Sequence, residues 1–211
     1  MKTKLEKPKL PTELQPLEPI RSLEPREEIG GGLLENVSID GQEATRVSFD
    51  KMLLRNVTVT ESSLEQLELT DVVFEGCDLS NVVMSGAFML RSEFIDCKLI
   101  GTDFSQSRLQ NVRFVNCLSD YSNFRFANFK QVSFEDCSLP SADFYSSTIK
   151  NLNFTRCNLD QAALNGTKLK GVDLSDSRFD VVHVNLDDLD GCTISADQAA
   201  AFVGLMGMVV R

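Results

Sequence analysis

The sequence has few of the side chains on which most catalytic and nucleic-acid-binding sites depend. Its 211 residues include no Trp, two Tyr and one His. The chain therefore has few residues that could stack on nucleic-acid bases or carry out imidazole-based catalysis. The formal net charge of −10 disfavours nonspecific nucleic-acid binding, which depends on cations that neutralise phosphates. We expect no direct contact with nucleic acid.

The chain also lacks a long apolar run. Residues 1–10 alternate charged and apolar groups and contain no apolar core of a signal peptide. The longest nearly apolar stretch, residues 199–210, is shorter than the roughly 20 residues of a membrane-spanning helix. Because no export signal is visible, the six cysteines indicate reduced thiols. We therefore predict a cytoplasmic protein that has no membrane partner.

Catalytic and metal-binding motifs are missing as well. The cysteines lack the C-x-x-C spacing of metal and redox sites, and buried filler is the simpler interpretation. His183 is predicted to face outward without a Ser, Cys or ligand cluster beside it. No phosphate-binding glycine loop or nucleophile elbow occurs. The sequence therefore predicts no catalytic residue, no metal and no cofactor, and the protein is not expected to be an enzyme.

A strict period of five runs through most of the chain. Every fifth residue from Leu34 to Ile194 is bulky and apolar, except Ala44 and Ser119. A second series lies two residues earlier and is mostly small or β-branched, as at Val72. Two inward positions separated by two are typical of an extended chain, and a turn every five residues restores the phase. Neither an α-helix nor an ordinary strand gives this period.

Several five-residue segments resemble the A-[DN]-[LF]-x-x unit of pentapeptide-repeat proteins. Examples are residues 126–130, 141–145 and 171–175. The resemblance covers about residues 33–195 and implies an all-β fold, a right-handed quadrilateral β-helix with four five-residue sides per coil. Stability in such an array comes from contacts between neighbouring coils, so both ends need caps.

A twenty-residue super-repeat supports four sides independently. The pattern Phe-x-x-Cys-x-Leu recurs at that interval, with Ser119 in the Leu place of the middle copy. Equivalent residues should therefore stack in columns through about eight coils. The predicted columns are Phe74, Phe94, Phe114, Phe134 and Phe154, and Cys77, Cys97, Cys117, Cys137 and Cys157.

Three regions follow from this pattern. Residues 1–32 form a Pro-rich arm, residues 33–195 the β-helix, and residues 196–211 a capping helix and tail. The arm is expected to be extended, and two hypotheses remain open for it. Its apolar residues either cover the first coil or leave the arm mobile. These residues are Leu5, Leu10, Leu14, Leu17, Ile20 and Leu23.

The C-terminal segment begins with a capping box, because Ser195 precedes Gln198 by three residues. It resembles the C-terminal segment of the MfpA and Qnr group of pentapeptide-repeat proteins, which protect DNA gyrase from quinolones. This resemblance implies a cap that also forms a two-fold homodimer. The alternative is that the apolar residues only plug the last coil. The candidate dimer residues are Phe202, Val203, Leu205, Met206 and Met208.

Three outward-facing sets are candidate contact surfaces. The first is an acidic surface, which in the MfpA and Qnr group imitates duplex DNA: Asp180, Asp187, Asp188 and Asp190. The second is a basic stripe that would face an anionic partner: Arg91, Arg108, Lys130, Lys150, Lys168 and Lys170. The third is apolar: Phe88, Leu90, Leu118, Tyr121, Phe126 and Tyr145.

The sequence favours a non-catalytic scaffold that presents a rigid surface to an unidentified protein partner. The alternative function is a DNA mimic that binds a type II topoisomerase, either DNA gyrase or topoisomerase IV. Fold alone does not decide between them.

Overall fold

The chain folds as a four-sided solenoid of parallel strands. The computed structural model describes residues 5–209. From β2 onward each strand pairs with the one twenty residues away, as Phe94 does with Phe114. The strands are β1 (Gln15–Pro16), β2 (Glu28–Gly30), β3 (Gly32–Glu35), β4 (Ser48–Asp50), β5 (Leu53–Arg55), β6 (Glu68–Glu75), β7 (Phe88–Ile95), β8 (Arg108–Val115), β9 (Asn128–Glu135) and β10 (Thr148–Thr155). One helix, α1 (Ala199–Val203), follows, with 3₁₀ turns at Leu186–Asp188 and Gly204–Met206.

A corner every five residues closes the square. The backbone enters the left-handed region at every fifth residue from Arg26 to Gly171. We number the sides on the middle coil, each side including the residues twenty positions away: side 1 is 112–115, side 2 is 117–120, side 3 is 122–125 and side 4 is 127–130. The regular corners stop at Gly171, so the solenoid has about seven turns, close to the eight coils predicted.

The predicted inward positions form the core. Within the series from Leu34 to Ile194 no side chain is exposed, and only Ile149, Phe179, Leu189 and Ile194 are half-buried rather than buried. The fold predicted from the five-residue period is confirmed.

Aromatic rings stack along the axis of the solenoid. Phe94 and Phe114 have parallel rings with centroids 4.9 Å apart. A second column, which the sequence analysis did not single out, contains Phe104, Phe124 and Phe144, with the first two rings 5.0 Å apart. These separations match the strand spacing of about 4.8 Å, so the backbone pairing sets the ring stacking. The two columns meet edge to face, as between Phe104 and Phe114.

The small residue that lies two positions before each bulky inward residue can also form a hydrogen bond inside the solenoid. Cys117 Sγ donates to the carbonyl of Phe94, 23 residues earlier, at 3.3 Å. Ser107 and Thr102 donate to the carbonyls of Met84 and Leu79 over the same interval. Cys, Ser and Thr at this position therefore tie each coil to the one beneath it.

The N-terminal boundary differs from the prediction. β2 already pairs with β4, and Arg26 is already a left-handed corner, so the solenoid begins inside residues 1–32. The five-residue series of apolar residues extends one step before Leu34, to the half-buried Ile29, and is broken at Glu24.

The rest of the arm packs along the solenoid, so the mobile alternative is wrong for its described residues. Leu23 is buried over the first coil, and its N–H donates to Gln42 Oε1 at 2.8 Å. β1 pairs with β3, and the Leu17 side chain occupies the space where residue 32 would carry a Cβ, which explains Gly32. Before residue 24, the half-buried or buried residues are Leu5, Pro8, Leu10, Leu14, Leu17, Ile20 and Leu23. The last four recur at intervals of three, the repeat of a polyproline II segment with one face on the protein.

The other end closes through the predicted capping box. Ser195 N–H donates to Gln198 Oε1 at 2.9 Å, and Gln198 N–H donates to Ser195 Oγ at 3.3 Å. Gln198 Nε2 also donates to the carbonyls of Leu174 and Ser177, at 2.8 and 2.6 Å. The buried Gln198 amide therefore closes the turn that precedes α1 and donates to two carbonyls at the end of the solenoid.

Candidate interaction surfaces

The thiols of the cysteine column are inaccessible. Cys77, Cys97, Cys117, Cys137 and Cys157 are free and buried. The contacts of Cys97 with Cys117 and Cys77, together with burial, raise its pKa. Cys192 is half-buried, and burial raises its pKa to about 11. His183 is exposed, with a ring nitrogen 3.2 Å from Gln161 Oε1. Among residues 5–209 no group of His, Cys, Asp and Glu side chains is arranged to hold a metal ion.

Three of the six cations in the candidate basic stripe form ion pairs. Arg91 forms a bidentate pair with the buried Asp71, with Nε–Oδ1 and Nη2–Oδ2 distances of 2.6 and 2.7 Å. Lys168 pairs with Asp188 at 2.9 Å, and Lys170 lies 3.9 Å from Asp190.

The remaining members of the stripe are Arg108, Lys130 and Lys150, and all three are exposed. Lys130 and Lys150 are register neighbours on side 4. Among residues 5–209, three of the six cations of the stripe therefore form no ion pair, which is fewer than the sequence pattern indicates.

Three of the four residues in the candidate acidic surface face the solvent. Asp180, Asp187 and Asp190 are exposed, but Asp188 is buried. Asp188 accepts hydrogen bonds from Gly166 N–H and Asn185 Nδ2, both at 2.8 Å. Burial opposes its ionisation, yet Lys168 and these donors lower the pKa of Asp188. Its inclusion in an outward surface was wrong, because the 3₁₀ turn at Leu186–Asp188 directs the side chain inward.

The candidate dimer residues are split between the cap and the exterior. Phe202 is buried and meets the Phe179 ring edge to face at 5.7 Å, so it plugs the last coil. Val203 is half-buried, whereas Leu205 and Met208 are exposed. Met206 lies in a 3₁₀ turn, and its side chain is outside the described residues. Beside α1 is an open groove of about 650 Å³, lined in part by Asp160, Asp180, Asp197 and Phe179.

Three exposed aromatic residues lie on side 3 and its two corners in the middle of the solenoid. Tyr121 and Phe126, at the two corners of side 3, are 69% and 53% exposed. Phe126 meets Tyr145 of the next coil edge to face at 5.7 Å. The Arg125 guanidinium lies 4.6 Å from the Tyr145 ring centroid and pairs with Asp143 at 3.0 Å. We call Tyr121, Arg125, Phe126 and Tyr145 the aromatic cluster.

The family comparison agrees with this geometry. The family model described as a pentapeptide repeat region matches residues 67–143 and 87–164. Both ranges lie within the solenoid, and together they include its stacked Phe and Cys columns. The chain is a pentapeptide-repeat protein. No curated protein matches it at a significant level.

Solved structures of other pentapeptide-repeat proteins resemble this one. HetL from the cyanobacterium Nostoc, involved in heterocyst differentiation regulation, is 15% identical over 83% of this chain and 85% of its own, with a TM-score of 0.56. Trypsin-treated QnrB1, a plasmid-mediated fluoroquinolone resistance protein, is 16% identical over 93% and 95%, with a TM-score of 0.41. A protein from the Arabidopsis thaliana thylakoid lumen is 22% identical over 63% and 89%, with a TM-score of 0.38. At these identities the likeness concerns the fold alone.

Two features of this pentapeptide-repeat protein were missed by sequence reasoning. One is the pairing of Arg125 with Asp143 and Tyr145, which depends on neighbouring coils. The other is that Tyr121 and Phe126 occupy left-handed corners, which a comparison of each corner with its equivalents one coil away would have shown. No helix in residues 5–209 is long and apolar enough to cross a membrane.

Proposed function

We propose that this pentapeptide-repeat protein is a non-catalytic scaffold and that the aromatic cluster is its contact surface for a partner protein. The observation that carries the proposal is the exposure of Tyr121 and Phe126 at rigid corners of one coil. Tyr and Arg are enriched among the residues that dominate binding energy at protein interfaces. The stacked core beneath them fixes their positions before binding, which reduces the entropic cost of association.

The arm leaves this surface open. Glu6 N–H donates to Asn111 Oδ1 at 3.3 Å and Lys9 N–H donates to Asp71 Oδ1 at 2.9 Å. Both acceptors lie on the corner between sides 4 and 1, which is diagonally opposite the Tyr121 corner. The arm therefore covers part of the basic stripe and leaves sides 2 and 3 accessible.

Affinity capture from the native cell tests the proposal. The matched variant is Tyr121→Asn with Phe126→Gly, because Asn81 and Gly86 occupy equivalent corners in this chain. Val181→Ser, an exposed apolar residue outside the cluster, is the control. We expect specific partners to be retained by the wild type and the control and lost from the double variant. Identical sets of captured proteins would contradict the proposal.

The second candidate function is DNA mimicry toward a type II topoisomerase. It is supported by the net charge of −10, by the exposed Asp180, Asp187 and Asp190, and by the exposed apolar Leu205 and Met208 in the C-terminal segment. A homodimer through the C-terminal segment would bring two acidic ends together. Gyrase supercoiling assays with and without a quinolone test this function, and neither inhibition nor protection would reject it.

Light scattering tests the dimer separately. Leu205→Asp with Met208→Asp is the appropriate variant, since Phe202→Asp would disrupt the cap that Phe202 forms with Phe179. A dimeric wild type and a monomeric variant would support dimerisation through this segment. A monomeric wild type would refute it.

A further inference from the structure

We propose that the aromatic cluster recognises a cationic segment of the partner, in which Arg or Lys side chains accompany an apolar residue. This conclusion rests on the proposed function and adds the chemistry of the partner. Three independent features of the coil that contains residues 117–126 lead to it: conformational cost, local irregularity and charge.

Tyr121 and Phe126 are costly at their positions. They have φ values of 59° and 58° and are the two aromatic residues among the left-handed residues of the described chain. A non-glycine residue in this conformation costs about 1–2 kcal/mol. The fold does not require an aromatic side chain there, because the equivalent corners one coil earlier are Gly101 and Gln106.

Other departures from the repeat occur in the same coil. Ser119 replaces the inward Leu, and its buried hydroxyl has no hydrogen-bond partner in the described structure. The same is true of Asp120 Oδ1, next to Tyr121. Leu118 is 46% exposed on side 2. Departures that reduce stability and occur together are typical of functional sites.

The surroundings of the cluster are acidic. Sides 2 and 3 of the four middle coils carry Asp103, Asp120, Asp143 and Asp160, against Lys98 and Arg125. Both cations are already neutralised, Lys98 by Asp78 and Arg125 by Asp143. In the described part of the chain no ion pair neutralises Asp103, Asp120 or Asp160. Asp103 and Asp160 each accept backbone hydrogen bonds through Oδ1, so an incoming cation meets carboxylates that carry a full negative charge near exposed aromatic rings.

The cluster already shows how a guanidinium is held in this setting. Arg125 lies over the Tyr145 ring and pairs with Asp143 at once. The exposed Tyr121 ring beside Asp120 offers a second pairing of an aromatic ring with a carboxylate. A cation over such a ring gains about 0.5–1 kcal/mol at an exposed site. A second copy of this acidic surface would instead be repelled, as would a nucleic acid.

Fluorescence anisotropy with a synthetic probe tests the inference on the full chain. The probe is a labelled octapeptide of alternating Arg and Leu, with control peptides that replace Arg by Glu or Leu by Ser. We expect the Arg-Leu peptide to bind more tightly than either control. Its affinity should fall at least about tenfold in the Tyr121→Asn, Phe126→Gly variant. Replacing Asp103 and Asp160 by Asn should weaken it several-fold at low salt.

The controls separate specific recognition from general charge attraction. Asp187→Asn with Asp190→Asn removes two exposed carboxylates outside the cluster and should leave the affinity within about twofold. Equal losses in this control, or no binding by the Arg-Leu peptide, would overturn the cationic assignment. If native partners still depend on Tyr121 and Phe126 while the peptide does not bind, the scaffold function stands and only the partner chemistry is wrong. If light scattering shows a lower molecular mass for the double variant than for the wild type, the cluster binds a second copy of this chain. That result would also overturn the cationic assignment.

Discussion

At the residue scale, the corners show how strongly the fold imposes one backbone conformation. Arg, Glu, Lys, Tyr and Phe adopt the left-handed region beside Gly and Asn, because each corner must complete the same turn. Such residues do so only when surrounding hydrogen bonds and packing compensate. The cross-coil backbone ladder supplies these bonds, as where Gln106 N–H donates to the Arg125 carbonyl at 2.8 Å.

Gln106 and Gly86 are exposed corner residues one coil apart, and substitutions at the two positions should change the stability in opposite directions. Gln106→Gly should raise stability by up to about 1 kcal/mol, since glycine adopts a positive φ without the Cβ clash. Gly86→Ala should lower it by about 1 kcal/mol, because a Cβ has room there, 3.5 Å from Gln66 Cγ, and only the conformation is unfavourable. Thermal denaturation measures both, and shifts of equal sign would contradict this explanation.

Thiol reactivity provides a second residue-scale prediction. In the native state a thiol reagent should modify Cys192 alone, and slowly, because the raised pKa of about 11 leaves little thiolate near neutral pH. The rate should rise as the pH approaches that value. The five buried cysteines should react only after unfolding. Rapid modification of several cysteines at neutral pH would show that the column is accessible.

At the scale of elements, the arm and the capping box perform the same task at opposite ends. Leu23 covers the first coil and Phe202 the last, and a side-chain amide completes the hydrogen bonding in each place, from Gln42 and Gln198. The arm then continues along the corner of Asp71 and Asn111, whose side chains accept its N–H groups.

The Asp71 contact should make the arm sensitive to acid. Burial opposes ionisation of Asp71, but hydrogen bonds from Arg91 and from Lys9 N–H lower its pKa. A lowered folded pKa stabilises the protein fully above the unfolded value of about 3.9, and this stabilisation is lost as the pH falls through the folded value. The melting temperature of the wild type should therefore exceed that of Asp71→Asn at pH 7, and the difference should shrink as the pH falls below about 3.9. Asp190→Asn, at a largely exposed site, should show little difference at either pH, and a constant deficit of Asp71→Asn would argue against the ion pair.

At the scale of the whole molecule, the regular part of the structure was readable from the sequence and the irregular part was not. The period of five predicts which side chains face inward, and the twenty-residue repeat predicts the stacking of Phe114 on Phe94. The Ser195–Gln198 spacing likewise predicts the cap. These features depend on local spacing, which the sequence displays directly.

The features that escaped prediction depend on contacts between coils or on single irregular turns. The arm docks on Asp71 and Asn111, which lie forty residues apart and belong to no local motif. Asp188 faces inward only because a 3₁₀ turn replaces a regular corner. The aromatic cluster was visible as scattered apolar residues, but its pairing of Arg125 with Tyr145 required the stacking of two coils.

The central claim is that the middle coil carries Tyr121 and Phe126 for binding rather than for folding, and the unfolding transition of the Tyr121→Asn, Phe126→Gly variant tests it most directly. Removing two aromatic side chains from a folded protein usually destabilises it. Here the relief of left-handed strain should offset the loss of the contact between Phe126 and Tyr145, so the melting temperature should stay equal or rise. A clearly lower melting temperature would show that both aromatics stabilise the solenoid, and it would contradict the account.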